Sequence, residues 1–218
     1  MRTKQILLGL VAMLLFTSCG KDSLRADGQL ITETRNPGVF HSIEASGSNK
    51  VYITYGNEFK IELKGSANLI PFFGTNVVSK VLHLSYNRHH IEHDDIEIYV
   101  TMPTMQALSF EGSGDVEISG AFPAITALHI ELEGSGQLKA RQEFEVGHAA
   151  LKLKGSNKID LSRVKVKDAD IELSGSGEAR LNILQQLNAE INGSGTIYYQ
   201  GSPSVNTKIN GNGKVSRN

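Results

Sequence analysis

Tryptophan is absent from this chain of 218 residues, and aromatic side chains make up only 6% of it. That leaves little material for a dense stacking surface of the kind that grips bases or sugar rings. Cysteine occurs once, which excludes an intrachain disulfide framework. Neither sign of charge prevails, with 22 Lys and Arg against 23 Asp and Glu. Without a basic stripe to neutralise phosphates, nucleic acid is not an expected partner. The longest apolar run, residues 6–16, is too short to cross a bilayer comfortably. What the chain has in quantity is glycine, 22 residues of it, and these glycines are not scattered.

The first residues read as a targeting segment rather than as part of the fold. Arg2 and Lys4 give a positive start, the apolar run follows, and the small residues Thr17 and Ser18 lead into Cys19. This stretch resembles the lipobox of bacterial lipoproteins. The resemblance implies cleavage after residue 18 and a diacylglyceryl group on the Cys19 thiol. Residues 1–18 are then a signal peptide, 19–29 a polar, lipid-anchored tether, and 30–218 a single domain with a candidate N-terminal subregion at 30–103. Removing the signal peptide leaves 20 basic against 23 acidic side chains. Lys21 and Asp22 resemble the surface-export signal of Bacteroidota lipoproteins. The expected location is the cell envelope, at the outer membrane and on its surface side, with the membrane itself a partner through the acyl chains.

The first glycine of each Gly-Ser-Gly-like string serves as an anchor for comparing copies: Gly47, Gly65, Gly112, Gly134, Gly155, Gly175, Gly193 and Gly211. The last six are 22, 21, 20, 18 and 18 residues apart, a spacing that marks a stack of repeated units. Two positions before each anchor and four after it every residue is apolar, from Ala45 and Val51 to Ile209 and Val215. Polar residues alternate with them, the period-two signature of half-buried strands on both sides of a bend. Ser follows the anchor in every copy but the last, which has Asn212. The next slot holds Asn49, Ala67, Gly114, Gly136, Asn157, Gly177, Gly195 and Gly213 in turn. Gly and Asn tolerate a left-handed backbone, so this second slot is expected to carry the positive φ of a sharp structural corner. The serine hydroxyl is expected to satisfy a backbone group there.

Two architectures accommodate such a repeat. One is an antiparallel β-meander or sandwich of hairpins with three-residue loops. The other is a parallel β-helix in which each copy is one coil. Segments 144–146, 164–166 and 183–187 add a third apolar element per repeat, which favours three-sided coils. The expected fold is therefore all-β, a right-handed parallel β-helix of about nine coils with repeats of 18–22 residues. Residues 66–111 are taken as one diverged coil with an insertion. Residues 30–40 would cover one end; at the other, Lys214 and Arg217 are candidate charged blockers and the last coil is a candidate site of self-association.

The frame (I/L)x(L/F)xGSGxVxI resembles the "putative auto-transporter adhesin, head GIN domain" family. So do the pattern F-x-x-I-x-A-S-G-S-x-x-V-x-I at residues 40–53 and the string MPTMQAL at 102–108. The resemblance covers residues 37–218. It implies a β-helical fold and an adhesin-like role among secreted or lipid-anchored proteins, and it supplies no catalytic residues.

The sharpest local cluster is RHHIEHDD at residues 88–95. His89, His90, His93, Asp94 and Asp95 all carry metal-ligating atoms. In a loop between strands, however, spacing does not bring them together, and a solvated loop tip is the plainer reading; no cofactor or metal is expected. Polysaccharide-active β-helix enzymes gather acidic and basic side chains in one groove. Here Asp115, Asp160 and Glu178 occupy scattered strand positions, although stacking could align Glu117, Lys139 and Asp160. The string GNGK at 211–214 lacks the spacing of a phosphate-binding loop. Tyr86, Tyr198 and Tyr199 are the candidate platforms for sugar rings, although Tyr199 stands in an inward phase that suits core or cap packing. The expected function is non-catalytic, an adhesin-like or scaffolding display surface for a glycan or protein ligand. A polysaccharide-active enzyme is the alternative.

Overall fold

The two strands on either side of a Gly-Ser corner do not pair with each other. In the computed structural model, which describes residues 23–87 and 90–218, each pairs in parallel with its counterpart one repeat away. This arrangement is a β-solenoid, and it excludes the meander and the sandwich of hairpins. The amino-terminal strands are β1 (Ser23–Arg25), β2 (Leu30–Arg35), β3 (Ser42–Gly47) and β4 (Lys50–Tyr55). Next come β5 (Lys60–Ser66), a 3-10 turn at Ile70–Phe72, β6 (Phe73–Val78), β7 (Val81–Tyr86), β8 (His90–Glu92) and β9 (Glu97–Met102). The regular array opens with β10 (Ala107–Gly112), β11 (Asp115–Ser119), β12 (Ile125–Gly134), β13 (Gln137–Ala140) and β14 (Glu145–Gly155). It continues through β15 (Lys158–Gly175), β16 (Glu178–Gly193), β17 (Thr196–Gln200), β18 (Ser204–Gly211) and β19 (Lys214–Arg217).

Seven anchor glycines, Gly47, Gly112, Gly134, Gly155, Gly175, Gly193 and Gly211, stand in register in one column. The strand before the corner forms one face and the strand after it a second. The third apolar element forms a third face, with Val146 opposite Val166 and Val166 opposite Ile183. Inside, the residues two before the anchor make a continuous column: Phe110, Leu132, Leu153, Leu173 and Ile191 are each at most 3% exposed. Each such side chain contributes roughly 1.5–3 kcal/mol of burial, and stacked rungs share it between neighbours.

The solenoid has five regular turns, bounded by Gly112 and Gly211, rather than nine. The copy at Gly65 is not a corner. Gly65 lies inside β5, which pairs antiparallel with both β2 and β9. Residues 66–111 are likewise not one diverged coil. β6 and β7 form an antiparallel hairpin whose turn residues Ser79 and Lys80 have φ of 50° and 64°, as a tight primed turn demands. β7 then pairs in parallel with β3, and β9 with β4. Together these strands cap the amino-terminal end of the core, with Leu69, Ile70 and Phe73 buried beneath them. β2 closes one side of the cap, as the sequence led us to expect of residues 30–40. Residues 23–29, expected in the tether, are tied down: β1 pairs with β8, and Gly28 N–H donates to Ser66 Oγ at 2.9 Å.

The positive φ falls on the first glycine of the corner and not on the second slot. It ranges from 106° at Gly155 to 144° at Gly112, and Gly114, Gly136, Gly177, Gly195 and Gly213 do not have it. The reason lies in the stacking. The carbonyl of each anchor glycine accepts the N–H of the residue after the next anchor, as in Ser156 N to Gly134 O at 2.8 Å and Ser176 N to Gly155 O at 2.9 Å. The serine contributes its backbone N–H here, while the hydroxyls of Ser156 and Ser176 bond to each other at 3.0 Å. A Cβ on Gly155 would lie 2.3 Å from Gly134 O. The second slot is also crowded from the neighbouring coil, since a Cβ on Gly136 would lie 2.6 Å from Gly114 O. Where Asn replaces Gly there, the side chain turns inward. Asn157 Nδ2 donates to the carbonyls of Leu132 at 3.0 Å and Lys154 at 2.6 Å.

Gly155→Ala therefore meets both a left-handed backbone and a carbonyl, and is expected to destabilise the fold by more than about 2 kcal/mol. Gly28 also has positive φ (76°) but open space around it, so Gly28→Ala should cost only about 1–2 kcal/mol. Urea unfolding midpoints of the two variants check the contrast.

Candidate functional site

Because the coils are in register, outward side chains also form columns. On the face after the corner, Tyr99, Tyr52, Glu117, Lys139, Asp160, Arg180 and Tyr198 occupy successive rungs, about 4.8 Å apart. Stacking thus does align Glu117, Lys139 and Asp160. Their charges alternate and are paired: Lys139 Nζ lies 3.6 Å from Asp160 Oδ2, and Arg141 donates to Glu117 Oε2 at 2.6 Å. Burial pushes the Asp160 carboxyl up, but bonds from Ser162 and the charge of Lys139 bring it below its ordinary value. On the face before the corner, a hydrogen bond from Lys154 likewise lowers Glu131. Carboxyls held ionised in this way are poor general acids. Exposed pairs of this kind contribute little stability individually.

The aromatic residues find partners within the chain itself. Tyr52 and Tyr99 stack on each other, 4.7 Å between centroids, and the guanidinium of Arg180 covers the Tyr198 ring at 4.8 Å. Tyr86 packs edge-on against Phe73 at 4.9 Å and donates to Asp94 Oδ1 at 2.7 Å. Tyr199 packs against the core. Of the three candidate platforms, Tyr86 and Tyr199 are structural and Tyr198 offers its ring to a cation.

The histidine-rich loop resolves differently from its composition. His89 lies outside the described residues. His90 is exposed on β8, paired with Ser23 of β1, and His93 has φ of 55°. Asp94 and Asp95 turn toward the cap. Asp94 Oδ2 accepts from the amide of Asn49 at 2.7 Å, while Asp95 accepts from Ser66 N at 2.8 Å and from Ser66 Oγ at 2.6 Å. Among the described residues no three His, Cys, Asp or Glu side chains are placed to hold a metal ion. Composition gave no sign of these pins. Their partners are the Asn in a glycine slot and the serine of the misplaced Gly65 copy.

A shallow groove runs across the crease between the face before the corner and the third face. Two adjoining depressions, of about 450 and 410 Å³, share His129 and Ala150. Ala127 and Ala150 leave a low floor, and Lys152, Asp170, Glu172 and Asn188 line one stretch of it. His148 Nε2 stands 3.3 Å from Asp170 Oδ2, and Asn188 donates to Asp170 Oδ1 at 2.7 Å. The sequence reading missed this groove. Its signal was the small outward residues, Ala127 and Ala150, at strand positions where polar side chains are the rule.

The model of the "putative auto-transporter adhesin, head GIN domain" family matches residues 39–203. The chain belongs to that family. No curated protein matches it. A solved "putative adhesin" from Bacteroides fragilis covers 90% of this chain and 100% of its own, at 22% identity and a TM-score of 0.75. A "putative adhesin" from Parabacteroides merdae covers 90% and 99%, at 19% identity and a TM-score of 0.66. A "putative lipid binding protein" from Parabacteroides distasonis also covers 90% and 99%, at 18% identity and a TM-score of 0.62. At these identities the likeness is one of fold.

Burial and the neighbouring Asp94 raise the Tyr86 phenol well above its ordinary value, and a hydrogen bond to Glu97 pushes Tyr99 up to about 12. For a phenol whose folded pKa exceeds its unfolded one, the stabilisation is complete below about pH 10. It is lost as pH rises toward the folded value. Tyr86→Phe should therefore lower stability at pH 8 by about 1–2 kcal/mol and flatten the decline above pH 10. Urea midpoints measured from pH 8 to 11 check both effects.

Proposed function

We propose that the protein is a non-catalytic, lipid-anchored protein of the outer membrane that displays its groove to an extended glycan. The observation that carries this reading is the groove itself. It is shallow, floored by alanines, and flanked by carboxylate, amide, imidazole and ammonium groups. Such groups exchange hydrogen bonds with hydroxyls along a chain laid across several rungs. The adhesin descriptions of the family and of two solved structures of the same fold support a role in attachment. The "lipid binding" description of the Parabacteroides distasonis structure is compatible with a membrane-associated setting. Among the described residues no helix is long and apolar enough to cross a membrane. Attachment is assigned to acyl chains on Cys19 because of the lipobox-like stretch that ends there.

Two measurements test the two halves of this proposal. Radiolabelled palmitate should enter the chain and be absent from Cys19→Ala; labelling retained in that variant would sink the anchor. The chain from Cys19 onward should bind a subset of structures on a glycan array, with signal lost in Ala150→Arg, which fills the floor of the groove. Binding unchanged in Ala150→Arg would place the ligand elsewhere, and no binding to any glycan would refute the ligand class.

A further inference from the structure

Large apolar side chains that remain exposed lie almost entirely at the two ends of the stack. Among the described residues, Leu30 (62%), Ile31 (43%), Val39 (52%), Phe72 and Val78 (59%) belong to the amino-terminal cap. Val205 and Ile209 are on β18, and Leu184 is the remaining one. β2 pairs only with β5 and β6 only with β7, so these two strands are outermost. Arg35 ties them into one layer, its guanidinium donating to the carbonyls of Ile70 at 2.9 Å and Phe73 at 2.6 Å and to the Thr75 hydroxyl at 3.2 Å. Val39 belongs to the same layer: His41 N–H donates to Lys80 O in the β6–β7 turn, two residues from Val78. Outer strands usually carry charge or proline at such positions, and large apolar side chains left exposed at one end of a fold point to a contact surface there.

Chain length says what covers this layer. β1 begins at Ser23 and is fixed to the cap, with Asp27 N–H donating to Asn68 Oδ1 at 3.2 Å just beyond it. Cys19 lies four residues before Ser23, a reach of at most about 14 Å. An acyl group on Cys19 therefore brings the cap against the bilayer, where exposed apolar side chains gain by entering the interface. We infer that the cap layer, led by Leu30, Ile31, Val39 and Val78, seats in the head-group region of the membrane. The solenoid then stands on its amino-terminal end with the later coils directed away. This inference rests on the lipid-anchor reading above.

The absence of tryptophan makes a single introduced one a clean reporter. The chain from Cys19 onward, containing every described residue, is coupled through its only thiol to a maleimide lipid in phosphatidylcholine vesicles. Anchoring is thereby imposed and does not depend on lipidation in the cell. Leu30→Trp and Val78→Trp should lose most of their emission to acyl-brominated phosphatidylcholine, and Val205→Trp should lose none. No loss at the cap positions, or equal loss at all three, would overturn the inference while leaving the palmitate result untouched. Sedimentation of the uncoupled chain supplies the second arm, with a monomer expected. A dimer abolished by Leu30→Glu and Val78→Glu would give the layer to a second copy and overturn the inference as well.

Discussion

The contact on which the rest depends is the one between consecutive corner glycines. The carbonyl of one anchor glycine receives an N–H from the next corner, and the chain turns there with φ above 100°. That contact fixes the separation of neighbouring coils and the phase of both strands leaving the bend. Once the phase is fixed, every inward residue falls on an inward residue and every outward one on an outward one. The apolar columns of the core and the charged columns of the surface are two consequences of the same constraint. The groove is a third, because the register sets Ala127 beside His148 and Ala150 beside His129, and each small residue leaves space next to an imidazole.

Much of this architecture was legible in the residues. The apolar frame around Gly112, Gly134, Gly155, Gly175, Gly193 and Gly211 marked two faces, and segments 144–146, 164–166 and 183–187 marked the third. The copy at Gly65 was not distinguishable, because period-two alternation is the same for parallel and antiparallel strands. Leu63 is buried in both readings; only the partners of β5, contributed by distant β2 and β9, decide the direction. The assignment of φ failed for a related reason. Gly134 and Gly136 both exclude a side chain, one through backbone conformation and stacking, the other through stacking alone, and composition cannot separate the two.

The candidate site was legible to a smaller degree. The column of Glu117, Lys139 and Asp160 followed directly from the repeat. The histidine loop drew attention by composition, yet Asp94 and Asp95 are held by Asn49 and Ser66, residues 45 and 29 positions away in the chain. The groove escaped notice because it is defined by what Ala127 and Ala150 do not fill. Negative space in a surface has no residue type of its own.

The shortening of the turns, from 22 to 18 residues, has a consequence for how the chain finds its register. Between β15 and β16 the pairing jumps from Leu161–Leu181 to Lys165–Asn182, so three residues of β15 bulge out where β16 has none. The first four turns, of 22, 21, 20 and 18 residues, consequently differ in perimeter, and the last two share 18. A coil stacked one place out of order would match at its glycine and mismatch around the rest of its circuit. Among the first four turns the taper acts as a vernier: similar corners make any two coils attractive to each other, and unequal perimeters favour the sequential order.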